Sequence, residues 1–358
     1  MRTMLAILLL IATPILVRAE ITLDQELDHH IRKAVEIRQY QSLILAYIQG
    51  SETLIRAYGT LLAESNAEPD SDTLFELSSN SKTFAGSLLA LLASRNEVSL
   101  DDPVNLYLPD GIKMASFNGV EVTLKHLATH RAGLPYAPED YVTDKNSPSP
   151  YADYRIADLW KSVNAFKPTR EAGTHYQYSA FGFGVLSQAL AHHMKKPYFE
   201  LLEQEILKPL GMTSTYQSVP KNQHHRLAPG HLANGERTDL LMDQGALMAA
   251  GFMITNLSDL LKYMKAHMDE SEASLSTGLR LSQQAHTEQP IMGLGWENSA
   301  GTTNRFHYGT GQGHRAFIGF NKNDPQRRGV IVFTNTKYGA IDIGKRALNP
   351  DHKLPEIE

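Results

Sequence analysis

Two residues three apart, Ser79 and Lys82, are the strongest candidates for covalent chemistry in this 358-residue chain. They stand in Thr73-Leu-Phe-Glu-Leu-Ser-Ser-Asn-Ser-Lys-Thr-Phe84, where a short apolar strand turns at Ser78 and Ser79 into a helix expected from Lys82 to about Arg95. Side chains three apart on a helix have Cβ atoms about 5–6 Å apart, so the amine folds back onto the hydroxyl and pairs a nucleophile with a base. The free N–H groups at a helix start favour a developing oxyanion. Phe84 to Ala93 is apolar nearly all round, the mark of a helix buried on every side. Desolvation at the edge of such a core favours the neutral amine a general base requires. Alone, Ser-x-x-Lys reads equally as a serine capping a core helix with a lysine on its rim. The chain also holds a second copy, Ser218-Val-Pro-Lys221, where Pro220 breaks helical geometry and makes a loop of it.

Two further groups follow in order. Tyr178 lies in Tyr176-Gln-Tyr178-Ser-Ala180, a turn ahead of a helix expected from Phe181 to Met194. His307-Tyr-Gly309 ends a strand and runs into Thr310-Gly-Gln-Gly313.

The elements that must position these groups are legible from periodicity. Residues from Leu23 to about Ile37 read as a surface helix, followed by strands Gln41–Gln49 and Thr53–Tyr58 around the loop Gly50-Ser51-Glu52. From Ser79 to about Met268 the pattern is almost wholly helical, and from Gly293 strands return at 293–296, 303–308, 316–320 and 329–333. A short helix follows Ala340, and 349–358 reads as an unstructured tail. Strands at both ends imply one antiparallel sheet built from the two termini, spanning 20–85 and 290–348, with a helical domain, 86–289, inserted. The serine then lies at the seam, where clefts form. The Pro- and Tyr-rich stretch from Tyr136 to Tyr154 is a long loop expected to border that cleft.

Composition narrows the function. Met1-Arg2, an apolar run from Met4 to Val17 and Val17-Arg18-Ala19 read as a secretory signal cleaved after Ala19, too short to span a bilayer, which places the mature chain in the periplasm or outside the cell. The formal charge is −5 with no basic cluster, which argues against nucleic acid as a partner. No cysteine is present, so disulfides, a thiolate nucleophile and Cys-ligated metals are excluded. Among 15 histidines, His126-x-x-x-His130 has zinc-site spacing but carries Leu127 where a metalloprotease has glutamate; no metal and no cofactor is expected.

The ordered blocks resemble the penicillin-recognising serine hydrolases of the class C β-lactamase type, with relatives among DD-peptidases, D-aminopeptidases and esterases. The resemblance runs over roughly residues 25–345 and is carried by Phe75–Phe84, Leu124-Lys-His-Leu-Ala-Thr-His-Arg-Ala-Gly-Leu-Pro135, Leu207-Lys-Pro-Leu-Gly-Met212, 250–260 and Gly293-Leu-Gly-Trp296. It implies the β-lactamase/transpeptidase-like fold, an antiparallel sheet flanked by helices with an inserted helical domain. It also implies an acyl-enzyme on Ser79, with Lys82 and Tyr178 moving the proton and the backbone N–H groups of Ser79 and Thr310 forming the oxyanion hole. His307 and Gly309 would line the substrate, with Gly309 keeping a side chain out of the gap between strand and substrate. Arg315 could meet a substrate carboxylate.

Two positions depart from the pattern. Ala180 stands where many members have asparagine, and His307 where many β-lactamases have lysine, so a permanent charge becomes one with an ordinary pKa near 6.5. A small molecule or a peptidoglycan peptide is the expected substrate, β-lactams or D-alanyl peptides ahead of simple esters. A carboxylesterase of the same fold and a penicillin-binding protein that acylates without turnover are the alternatives, and no feature specifies an oligomeric state.

Overall fold

The computed structural model describes residues 21–141, 153–238, 245–271, 273–299, 302–321 and 323–357. The leader and most of the 136–154 loop lie outside these residues.

The chain begins with α1 (Gln25–Glu36), capped by Asp24, whose carboxylate accepts the Leu27 N–H at 2.9 Å. Then come β1 (Ser42–Gln49) and β2 (Glu52–Gly59), joined by a tight turn with Gly50 at φ +60°. β3 (Leu74–Glu76) leads through a single 3₁₀ turn, Ser78–Asn80, into α2 (Ser81–Ser94). The helical body adds α3 (Leu124–Ala128), α4 (Ile156–Ala165), α5 (Ala180–His193) and α6 (Tyr198–Leu202). It is interrupted by the small hairpin β4 (Gly230–His231) and β5 (Arg237–Thr238) and by β6 (Ile254–Asn256). α7 (Leu257–Met268), α8 (Ser274–Gln283), β7 (Glu297–Asn298), β8 (Arg305–Thr310), β9 (Arg315–Asn321), β10 (Arg328–Thr334) and α9 (Ala340–Leu348) complete the order.

The main sheet is antiparallel throughout and runs β2-β1-β10-β9-β8-β7, so the N-terminal hairpin pairs directly with the last strand, Leu45 opposite Val332. Because side chains alternate across a strand, β1 supplies both faces. Leu43, Leu45 and Tyr47 join one apolar cluster with Leu27, Ile31, Ile343 and Val332 from α1, α9 and β10. Ile44, Ala46 and Ile48 join the larger core shared with α2, α5 and α7. α2 is buried at every position from Ser81 to Leu92, as its largely apolar run from Phe84 onward leads one to expect.

Four features differ from the sequence reading. The segment 293–296 is not a strand: the Gly293 N–H bonds the Trp296 carbonyl and Gly295, at φ +72°, donates to Ala128 O, which makes a turn pinned to α3. The helical stretch contains β6, whose pairing with β3 supports the strand ahead of Ser79. α7 lies against β1, β9 and β10 although it falls within 86–289. The tail has no regular structure but is not loose, since Leu354 and Ile357 pack on the α1/α9 cluster and His352 Nε2 lies 3.1 Å from Asp342.

Candidate active site

The nucleophile turn is held in an unusual backbone state. Ser78 has φ +48°, a left-handed conformation uncommon for a residue with a side chain, and its hydroxyl donates to the buried Glu76 carboxylate at 2.8 Å. The chain then enters the 3₁₀ turn with Ser79 facing the seam between α2 and the helical body. Asn80 is fully buried and donates to Leu77 O and to Ala316 O on β9, tying the turn to the sheet.

Lys82 is buried and approaches Ser79 Oγ to 3.3 Å. Its amine also donates to the Ala250 carbonyl and sits 4.8 Å above the ring of Tyr178 and 5.7 Å from that of Phe183. Burial alone lowers its pKa to about 7, so a large share is neutral at neutral pH. Tyr178 hydrogen-bonds Ser79, and burial pushes its pKa well above the ordinary value, which keeps it a protonated phenol. α5 delivers it: Ser179 caps that helix by accepting the Gly182 N–H at 2.9 Å, and the Ala180 N–H bonds Tyr136 O.

His307 is buried, with Nδ1 donating to Tyr308 O at 2.9 Å and Nε2 without a partner among the described residues. Burial, followed by the nearby Lys82 charge, drives its pKa to about 3. The imidazole is therefore neutral, and its Nε2 lone pair is an acceptor rather than a cation. Gly309 packs on the nucleophile turn itself: a Cβ there would lie 2.3 Å from Leu77 O and 2.7 Å from Ser78 Cβ. Contact between β8 and the turn therefore by itself requires a glycine here. Thr310 follows at the exposed end of β8, opposite Arg315. Arg315 is half-buried, and its Nη1 donates to Gly311 O and His314 O, both at 2.8 Å, so one arm of the guanidinium is engaged in closing the β8–β9 turn.

Three further contributors were not among the expected site residues, although His130 and Ala250 lie within the blocks Leu124–Pro135 and 250–260. His130, at φ +58°, accepts the Ser179 N–H at 3.0 Å and stacks on Tyr178. Ala250 contributes only a carbonyl. Glu297 is pushed up to about 7 by burial and faces Tyr176, Tyr178 and Tyr308. His126, the other half of the zinc-like pair, instead accepts the Thr123 N–H at 3.2 Å in a capping box. Ser218 and Lys221 share no helix, since Lys221 begins a separate 3₁₀ segment after Pro220. Tyr136, at the start of the long loop, is 65% exposed with its ring 6.2 Å from that of Tyr178.

A serine, a buried amine and a phenol meeting between an antiparallel sheet and an inserted helical body define a serine–lysine–tyrosine centre. The chain belongs to the beta-lactamase family, whose description, Beta-lactamase, matches residues 27–350. It is 28% identical over 232 residues to the D-alanyl-D-alanine-carboxypeptidase/endopeptidase AmpH of Escherichia coli K12, an alignment covering 63% of this chain and 57% of AmpH. The match thus takes in little more than half of that relative's length. A beta-lactamase of Pseudomonas fluorescens is 27% identical over 278 residues, 76% of this chain and 74% of that protein. Among solved structures, a class C beta-lactamase superposes with a TM-score of 0.76 at 23% identity, covering 92% and 96% of the two chains, a likeness of fold.

Proposed function

We propose that the protein is an exported serine hydrolase that forms an acyl-enzyme on Ser79 with a small amide or ester carbonyl. The observation that carries this reading is the 3.3 Å approach of the buried Lys82 amine, its pKa lowered to about 7, to the Ser79 hydroxyl, with Tyr178 bonded to the same oxygen. In the proposed sequence Lys82 takes the serine proton as Oγ attacks, and the C–O bond forms while the carbonyl becomes a tetrahedral oxyanion. The backbone N–H groups of Ser79 and Thr310 receive that charge, each donor being worth roughly 2.7–4 kcal/mol. The Tyr178 phenol, un-ionised in the resting site, relays the proton to the leaving nitrogen or oxygen. Water then attacks the ester by the reverse route.

The family and the relatives support a β-lactam or a D-alanyl peptide as substrate. Ala180 and the neutral His307 favour a second reading, a carboxylesterase. An alkoxide leaves more readily than an amide nitrogen and has less need of an asparagine amide or a fixed cation. Arg315, with Nη1 engaged, remains the proposed partner for a substrate carboxylate. Export rests on the Met1–Ala19 pattern. Mass spectrometry of the purified chain with a penicillin and with a short-chain aryl ester tests these readings. Turnover of lactam or of D-alanyl peptide supports the first. Ester turnover with no lactam reaction means an esterase, a lasting adduct without turnover means a binding protein, and equal turnover by Ser79→Ala removes all three.

A further inference from the structure

We propose that Glu76 is a positioning residue that holds the Thr310 end of β8 at the correct distance from the nucleophile turn. The inference rests on the oxyanion roles given above to Ser79 and Thr310, and it goes beyond them by naming what sets the separation between the two donors.

Glu76 is the last residue of β3, three before the nucleophile, and is 5% exposed. A carboxylate buried this far from water is retained only where its oxygens are used. Oε1 accepts the Ser78 hydroxyl at 2.8 Å, which fixes the left-handed residue next to Ser79. The other contact is with the glycine-rich turn after β8. A Cβ on Gly311 would lie 2.6 Å from Oε2 and 2.8 Å from Oε1, so the Gly311 backbone rests directly on the carboxylate. Gly309 rests in the same way on Leu77 O and Ser78 Cβ. Thr310 is thus suspended between two glycines that both sit on the segment 76–78. Glu76 supports one side of that clamp and the Leu77–Ser78 backbone the other. Arg315, whose positive charge acts on Glu76, holds the same turn from above by bonding Gly311 O and His314 O. Substrate never needs to touch Glu76 for its loss to widen the pocket in which the oxyanion forms.

Steady-state kinetics on the full chain, with a chromogenic cephalosporin and a short-chain aryl ester, test the role. A donor displaced rather than deleted should lower kcat about tenfold with KM within about twofold, less than the 10²–10³ of outright loss. Glu76→Ala and Gly311→Ala are each expected to behave so, and Glu76→Gln, which keeps shape and acceptor, to restore most of the rate. The double variant Glu76→Ala/Gly311→Ala should be no slower than either single one, because removing the carboxylate makes room for the new methyl. If the carboxylate serves only folding, Glu76→Ala lowers the melting temperature and leaves kcat unchanged. That result, or two effects that simply multiply, overturns the proposal. If Glu76→Ala does not fold, Glu76→Asp replaces it, and the Gly311→Ala penalty must shrink in that background. A parent that neither turns over nor acylates with these two substrates or with a D-alanyl peptide overturns the hydrolase reading, and the positioning role falls with it. An active parent with inactive Ser79→Ala and fully active Glu76→Ala overturns the positioning role alone.

Discussion

The imidazole of His130 lies stacked on the phenol ring of Tyr178, centroids 4.3 Å apart, and its Nδ1 accepts the N–H of the next residue, Ser179. Two contacts from one side chain therefore set both the plane and the height of the phenol. Tyr178 is delivered at the start of α5, and without this clamp its ring would have no fixed route to Ser79. Burial holds the His130 pKa well below the ordinary value, so the clamp stays neutral and does not repel the Lys82 ammonium.

Replacing His130 by alanine leaves the buried Ser179 N–H unpaired and removes the stack. A loss of about 1–3 kcal/mol is expected, read by thermal melting, together with a fall in kcat larger than any change in KM. His130→Asn tolerates the left-handed backbone and retains an acceptor, and it should lose less on both counts.

The acid limb of the pH–rate profile belongs to Lys82. The reactive form is the neutral amine and its pKa is lowered to about 7, so kcat/KM should rise with pH through about 7 and level above it. Burial also brings Glu297 and Glu76 to about 7; the limb should survive both Glu297→Gln and Glu76→Gln and vanish with the activity in Lys82→Arg. A limb centred below pH 5 would contradict the assignment.

The same burial makes stability depend on pH. Lys82 binds its proton less tightly in the folded chain, pKa about 7, than in the unfolded one, near 10.4. Between these values the unfolded state carries more protons, so the stability linked to this group is full above about 10.4 and is lost as pH falls to about 7. The parent's melting temperature should rise from pH 7 to pH 9, and Lys82→Met should flatten that rise; an identical rise in both would count against a buried amine.

Ala180 is the first residue of α5 and is buried beside Tyr178. An asparagine here would bring a donor and an acceptor to the site, and nitrogen leaving groups need such help more than alkoxides do. Ala180→Asn should raise turnover of amides more than of esters, measured as the ratio of kcat/KM values; the opposite ranking would discredit the position.

Gly309→Ala drives a methyl into Leu77 O. Overpacking of this kind destabilises by about 1–3 kcal/mol, and here it also displaces the nucleophile turn, so both melting temperature and kcat should fall. An unchanged rate would mean that the turn yields without harm.

Much of the fold was readable from local pattern. The 3.6-residue periodicity of α1, the largely apolar runs of α2 and α5 and the apolar strands at both ends belong to single segments, and their burial needs no knowledge of the partner. In the 293–296 turn Leu294 and Trp296 alternate with glycines as the inward residues of a strand would, while the conformation is decided by bonds to Ala128 and by the left-handed Gly295. β6 was missed because three residues are too short to display a period. The packed tail was missed because Leu354 and Ile357 are isolated apolar residues whose partners lie on α1 and α9.

The site divides along the same line. Ser79 and Lys82 are one helical turn apart, so their meeting follows from residue spacing, and the amine's neutrality follows from the apolar run behind it. Tyr178, His130, Ala250 and His307 come from segments far apart in the chain, and which atoms they present depends on how the sheet and the helical body close on one another. Spacing along a chain constrains only neighbours. Long-range distances, and the burial that moves each pKa, exist only once the chain has folded.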